Sequence, residues 1–162
     1  MKTLVTTLCF LRTGNNILLA RRKKGFGSGK YNGIGGKLEE GETVIDALIR
    51  ETKEEIGVIP TNYEPKGKVQ FDETIAGEKV HLTFHVFIVT EWDGAIAESE
   101  EMAPEWFDVN NIPYDKMFSD DIYWLPRVLC GKSVDAYFRF DEEWNIVEQR
   151  VDEVEQVKEM TV

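Results

Sequence analysis

The chain has little of what metal cages, disulfide scaffolds and membrane anchors are made from. Its 162 residues include two cysteines, Cys9 and Cys130, and two histidines, His81 and His85. The cysteines are far apart and in no ligand or redox spacing, so they read as reduced, largely buried thiols. The histidines share one face of a strand-like stretch and have no third ligand, so they read as sheet residues rather than a metal site. No apolar run approaches the roughly 18 residues that cross a bilayer. Met1-Lys2-Thr3-Leu4-Val5 lacks the charged flank, apolar stretch and cleavage site of a secretory signal. A soluble, cytoplasmic chain without a membrane partner is expected. Bases are also scarce: 19 Lys and Arg against 30 Asp and Glu give a net charge of −11. Polyanions are bound by surplus Lys and Arg, so direct binding to a nucleic-acid duplex is not expected.

What is present suffices for a core: 42% of residues are apolar and 11% aromatic. No repeat, linker or low-complexity segment divides the chain, and residues 1–162 read as a single domain. Charge is unevenly spread. Lys2, Arg12, Arg21, Arg22, Lys23, Lys24, Lys30 and Lys37 fall in the first 37 residues, which contain no acid. The run 21–24 is either a solvated strand end or a rim that attracts phosphate.

β-Branched and aliphatic runs over 3–11 and 16–21, joined by Arg12-Thr13-Gly14-Asn15, predict a hairpin. Residues 25–41 hold seven of the 13 glycines and predict a loop whose backbone approaches something closely. Strands are predicted over 66–71, 80–92 and 105–109, a helix over 119–130, and a closing hairpin from 134–140 and 145–151. The order lacks the regular alternation of a doubly wound fold, so an α+β fold with a mixed or mainly antiparallel sheet is expected. Trp92, Trp106 and Trp144 read as core or sheet-face packing.

A further helix is predicted over 43–56. Thr43 and Asp46 form a capping-box pair at its start, and Gly57 suits a left-handed residue at its end. Val44, Ala47, Leu48, Glu51 and Glu55 fall on one side, with Glu54 flanking them. Three crowded carboxylates repel one another unless a cation intervenes. Oxygen donors without cysteine or histidine suit Mg²⁺, or Mn²⁺. Taken alone, the same residues are also an ordinary acidic amphipathic helix.

The wider pattern decides between these. Gly36, five residues, Glu42, seven residues and then Arg50-Glu51-Thr52-Lys53-Glu54-Glu55-Ile56-Gly57-Val58 resembles the signature of the Nudix hydrolase family. Thr52 departs from the aliphatic residue usual there and brings a hydroxyl that must be satisfied. The stretch 25–37, Glu100-Glu101-Met102 with Trp106-Phe107, and Asp120-Asp121-Ile122-Tyr123-Trp124 narrow the resemblance to the oxidized purine nucleoside triphosphatase branch found in animals.

The resemblance implies an αβα sandwich with a central mixed sheet between helices. It implies cleavage between α- and β-phosphates, release of a nucleoside monophosphate and pyrophosphate, and 8-oxo-dGTP and 2-hydroxy-dATP as substrates. A role in nucleotide-pool sanitation, in support of DNA repair, follows. Glu51, Glu54 and Glu55, with Glu101 and the Gly36 carbonyl, would hold Mg²⁺. Glu54 is the first choice for the base that takes a proton from water, Glu101 the second, and Arg50 would orient the glutamates. Arg22, Lys23 and Lys24 would meet phosphate. Asn32, Asp120 and Asp121 would read the purine edge, Phe26, Phe71, Phe118 and Trp124 would line its pocket, and Thr7 completes the substrate set. Phe118 stands where that branch has a stacking tryptophan. Neighbouring acids at a helix start can equally cap it, with Ser119 beside them. A monomer is expected. Two other readings stay open: a Nudix hydrolase of ADP-ribose or an ordinary dNTP, and a nucleotide-binding module without turnover.

Overall fold

A computed structural model of the protein describes residues 1–157, so residues 158–162 of the expected domain lie outside the described residues. Strand β1 (Lys2–Thr13) turns at Gly14 into β2 (Asn16–Arg22), and β3 (Tyr31–Asn32) is a two-residue strand inside the glycine-rich loop. Helix α1 (Val44–Ile56) follows, then the long strands β4 (Ile59–Ile75) and β5 (Glu78–Asp93). Strand β6 (Met102–Asp108), a 3₁₀ turn (Tyr114–Lys116) and helix α2 (Asp121–Leu129) lead into β7 (Ser133–Phe140) and β8 (Ile146–Val154).

The sheet runs β3-β2-β1-β5-β4-β7-β8, with β6 on β2. Pairings β1–β5 and β4–β7 are parallel, and the others are antiparallel. A central mixed sheet between helices is what results. Alternation along β1 sends Leu8 and Phe10 to one face and Cys9 and Leu11 to the other, and all four are buried. On the first face Trp124, Leu125 and Val128 of α2 close over Val69, Val86 and Phe138. On the second, Val44, Leu48 and Ile56 of α1 pack on Cys9, Leu11, Phe87 and Val89. Among the described residues no helix is long and apolar enough to cross a membrane.

Several expectations need correction. Strand β4 begins at Ile59, not 66, because register shifts between Pro60 and Asn62 and between Pro65 and Gly67 absorb both prolines. Strand β6 starts at Met102, where pairing with Arg22 extends it, and β8 runs on to Val154. Helix α2 begins at Asp121, and neither Ser119 nor Asp120 caps it through its side chain. Cys9 is buried but Cys130 is exposed, since it follows the last turn of α2. His81 and His85 do share a face of β5. His81 Nδ1 lies 2.6 Å from Asp72 Oδ1, whose partner oxygen accepts from the Tyr137 hydroxyl at 2.6 Å.

Candidate active site

Helix α1 is fixed at both ends as its sequence predicts. Thr43 Oγ1 accepts from Asp46 N at 3.1 Å, Asp46 Oδ2 accepts from Thr43 N at 3.0 Å, and Gly57 ends the helix at φ 79°. The Thr52 hydroxyl is satisfied internally: it donates to Leu48 O at 2.6 Å and lies 3.6 Å from Cys9 Sγ. Burial pushes that thiol up to about 12, so it stays neutral.

The glycine-rich loop lies against β1, and at Gly35 and Gly36 a side chain would collide with its surroundings. A Cβ at Gly35 would fall 1.8 Å from Thr7 O, and one at Gly36 would fall 2.4 Å from Glu51 Cδ. Gly36 O accepts from Thr7 N at 2.9 Å, which leaves one of its lone pairs free. Thr7 itself is buried, with its hydroxyl unpartnered among the described residues.

Arg50 organises the acids. Its Nε and Nη2 grip Glu42 at 2.7 and 2.9 Å, its Nη1 reaches Glu51 at 2.8 Å and Glu54 at 3.3 Å, and Nη2 also bonds Lys37 O at 3.0 Å. This fork, with a second bond from Glu39 N–H, holds the Glu42 carboxyl down at about 2. Glu55 is the opposite case. Burial first, and then the Glu51 charge, push its carboxyl up to about 8, against the pull of Arg22 and a bond from Gly35 N–H. Its Oε2 is buried without a partner among the described residues, and the charge of Glu101 also raises the carboxyl. Glu54 is exposed.

An unpartnered buried carboxylate oxygen, a neighbouring Glu51 carboxylate in a space that a Cβ would fill, and an all-oxygen donor set fit a hard divalent cation. Among the described residues no three acidic, histidine or cysteine side chains stand close enough together to hold a metal ion by themselves. Mg²⁺ keeps several waters and is commonly held by one or two carboxylates together with substrate phosphates. Of the basic run, Lys23 pairs with Glu98, Lys24 with Glu100, and the Arg21 charge acts on Tyr31 and Glu98, while Arg22 is the member whose charge reaches Glu55.

On the other face of the sheet a cavity of about 480 Å³ opens beside α2. Phe26, Asn32, Phe71, Phe118, Asp120, Asp121 and Trp124 all line it, whereas Thr7 and Arg22 do not. Asp120 Oδ2 accepts from Trp124 Nε1 at 2.9 Å. Burial raises Asp120 to about 6; burial and the Asp120 charge together raise Asp121 well above the carboxylate range. Asp121 Oδ2 is buried and has no partner among the described residues. Asn32 Oδ1 accepts from Gly33 N at 2.8 Å, which leaves its amide N–H groups for a ligand. Asn32 and Gly36 are four residues apart, at most about 14 Å of extended chain, so cavity and carboxylates lie within one nucleotide's length.

Residues 2–128 match the NUDIX domain family. The chain belongs to the Nudix hydrolases. It is 40% identical over 149 residues to the oxidized purine nucleoside triphosphate hydrolase of Danio rerio, covering 92% of this chain and 94% of that one. The enzyme of the same name from Mus musculus is 35% identical over 149 residues, with the same coverage. The crystal structure of a mutator MutT protein from Bacillus halodurans superposes with a TM-score of 0.79 at 24% identity, over 92% of this chain and 97% of that one.

Among the cavity-lining residues of this Nudix chain that the sequence did not point to are Glu73 and Trp144. Glu73 follows Phe71 by two on β4, so period-two alternation could have found it. Trp144 is not sheet packing as expected. It sits in the β7–β8 turn at φ 64°, held by a bond from its N–H to Asp141 O, and lies 5.3 Å from the Phe26 ring. No local pattern announces it.

Proposed function

We propose that the protein is a cytosolic, monomeric nucleoside triphosphate pyrophosphohydrolase that acts as one domain on oxidized purine nucleotides such as 8-oxo-dGTP and 2-hydroxy-dATP. The observation that carries this reading is the pair Asp120 and Asp121, buried side by side in a cavity that also presents the Asn32 amide. Two adjacent buried carboxyls share protons, so together they offer both a donor and an acceptor to a purine edge. The aromatic rings of Phe26, Phe71, Phe118 and Trp124 supply the faces that hold the base.

Glu51, Glu54 and Glu55, with Glu101 and the Gly36 carbonyl, would hold Mg²⁺ or Mn²⁺. When bound, the ion supplies positive charge that neutralises the triphosphate. Arg22 meets the phosphates beside Glu55. Arg50 keeps Glu51 and Glu54 in place through its bonds to both. Glu54, exposed and held only at one oxygen, takes a proton from the attacking water; Glu101 is the second candidate. The bond between α- and β-phosphates breaks, and a nucleoside monophosphate and pyrophosphate leave.

The test is a panel of 8-oxo-dGTP, 2-hydroxy-dATP, dGTP and ADP-ribose with Mg²⁺. The oxidized purines should have the highest kcat/KM, and Glu54→Gln should lower turnover by at least about a hundredfold in the folded protein. A preference for ADP-ribose, or undiminished turnover in Glu54→Gln, would overturn the reading.

A further inference from the structure

Glu73 brings a third carboxyl into the cavity that holds Asp120 and Asp121. Along β4, Val69, Phe71 and Glu73 point to the same face, and the first two are buried apolar residues. The pattern calls for a third apolar side chain, yet the position carries an acid that is half buried. Burial and then the charge of Asp120 hold this carboxyl above its usual range, and no hydrogen bond or cation among the described residues offsets either. Lys30, the cation lining the cavity, acts on Asp121. Asp121 meanwhile keeps one buried oxygen without a partner among the described residues. Polar groups withdrawn from water without partners are costly, and the cost is recovered when a ligand supplies the missing hydrogen bonds.

The two sets of acids approach from different elements, Glu73 from the sheet and the aspartates from the start of α2. An oxidized guanine presents N–H donors on two edges: the ring N–H and amino group on one, and the N–H created by oxidation on the other. We propose that Glu73 is a third base-reading residue, accepting a hydrogen bond from an N–H donor on the purine edge that Asp120 and Asp121 do not meet. The inference rests on a purine occupying this cavity, and it makes Glu73 a specificity-determining residue outside the paired aspartates.

Calorimetric titration without metal separates base reading from turnover. The ligands are 8-oxo-dGMP and purine 2′-deoxyriboside monophosphate, whose base has no N–H donor. Glu73→Met should weaken 8-oxo-dGMP by about tenfold, the usual effect of leaving one ligand donor unpaired. The same variant should bind the donor-free purine as well as wild type does, or better. Glu73→Gln retains a carbonyl acceptor and should restore most of the lost affinity. Equal weakening of both ligands, or of neither, in a Glu73→Met protein that melts like wild type would overturn the inference. Failure of the wild type to favour 8-oxo-dGMP over the donor-free purine would instead overturn the oxidized-purine reading, and this inference with it.

Discussion

The carboxylate of Glu51 occupies the space a side chain at Gly36 would need: a Cβ there would lie 2.4 Å from both Cδ and Oε1. This fit between the glycine-rich loop and α1 sets where the Glu51 carboxylate stands. Gly36→Ala must displace that carboxylate and with it the 2.8 Å bond from Arg50. A misplacement near 1 Å at a reacting centre costs about a hundredfold. The expected result is a loss of that order in kcat, with a thermal midpoint close to wild type, read by steady-state kinetics and calorimetry.

Arg50 holds Glu42, Glu51, Glu54 and the Lys37 carbonyl with one planar group, and an ammonium cannot reproduce the fork to Glu42. Arg50→Lys should therefore lower kcat more than it raises KM, since Arg50 positions carboxylates and does not contact the base. A change confined to KM would contradict this. The Glu42 carboxyl, held at about 2, contributes stability that is complete above its ordinary 4.5 and lost as pH falls through 2. Arg50→Met should unfold at a higher pH than wild type in an acid titration.

The aspartate pair predicts the opposite slope. Carboxyls raised by folding bind more protons in the native state, so stability falls as pH rises from about 4, the unfolded value, through 6 and beyond. In the presence of a chelator, Asp121→Asn should flatten the fall in melting temperature between pH 5 and pH 8 and melt higher than wild type at pH 8. Parallel curves for the two proteins would mean that the pair is solvated and ionised.

Much of this was legible in the sequence. The capping box of Thr43 and Asp46, the terminator Gly57 and the first hairpin each depend on residues within a few positions of one another. Tertiary relations were harder to read. Pro60 and Pro65 look like loop residues until the bulges that accommodate them are seen. Asp120 and Asp121 sit where caps belong, yet their carboxyls turn to Trp124 and the cavity because burial removes the water they would otherwise use. Lys23 and Lys24 resemble phosphate ligands until Glu98 and Glu100 arrive from the distant segment before β6.

Trp144 had no local signal, because a turn residue joins the cavity only through the closing hairpin. Its ring lies 5.3 Å from Phe26 and 6.1 Å from Phe140, while Phe26 stacks on Phe118 at 6.0 Å with 18° between planes. An indole here supplies aromatic area that Phe118 lacks. Trp144→Ala should raise KM for oxidized purines by about fivefold, equivalent to roughly 1 kcal/mol of aromatic contact, with kcat little changed. Unchanged KM would leave Trp144 outside the binding site.

The α1 carboxylates and the α2 cavity are expected to act on one molecule, a purine nucleoside triphosphate. Product analysis of wild-type protein with 8-oxo-dGTP and Mg²⁺, by phosphorus NMR over a single turnover, tests it most directly. The expected result is 8-oxo-dGMP and pyrophosphate appearing together, with no free phosphate and no reaction in a chelator. Stepwise release of single phosphates, or hydrolysis that persists without a divalent ion, would contradict it.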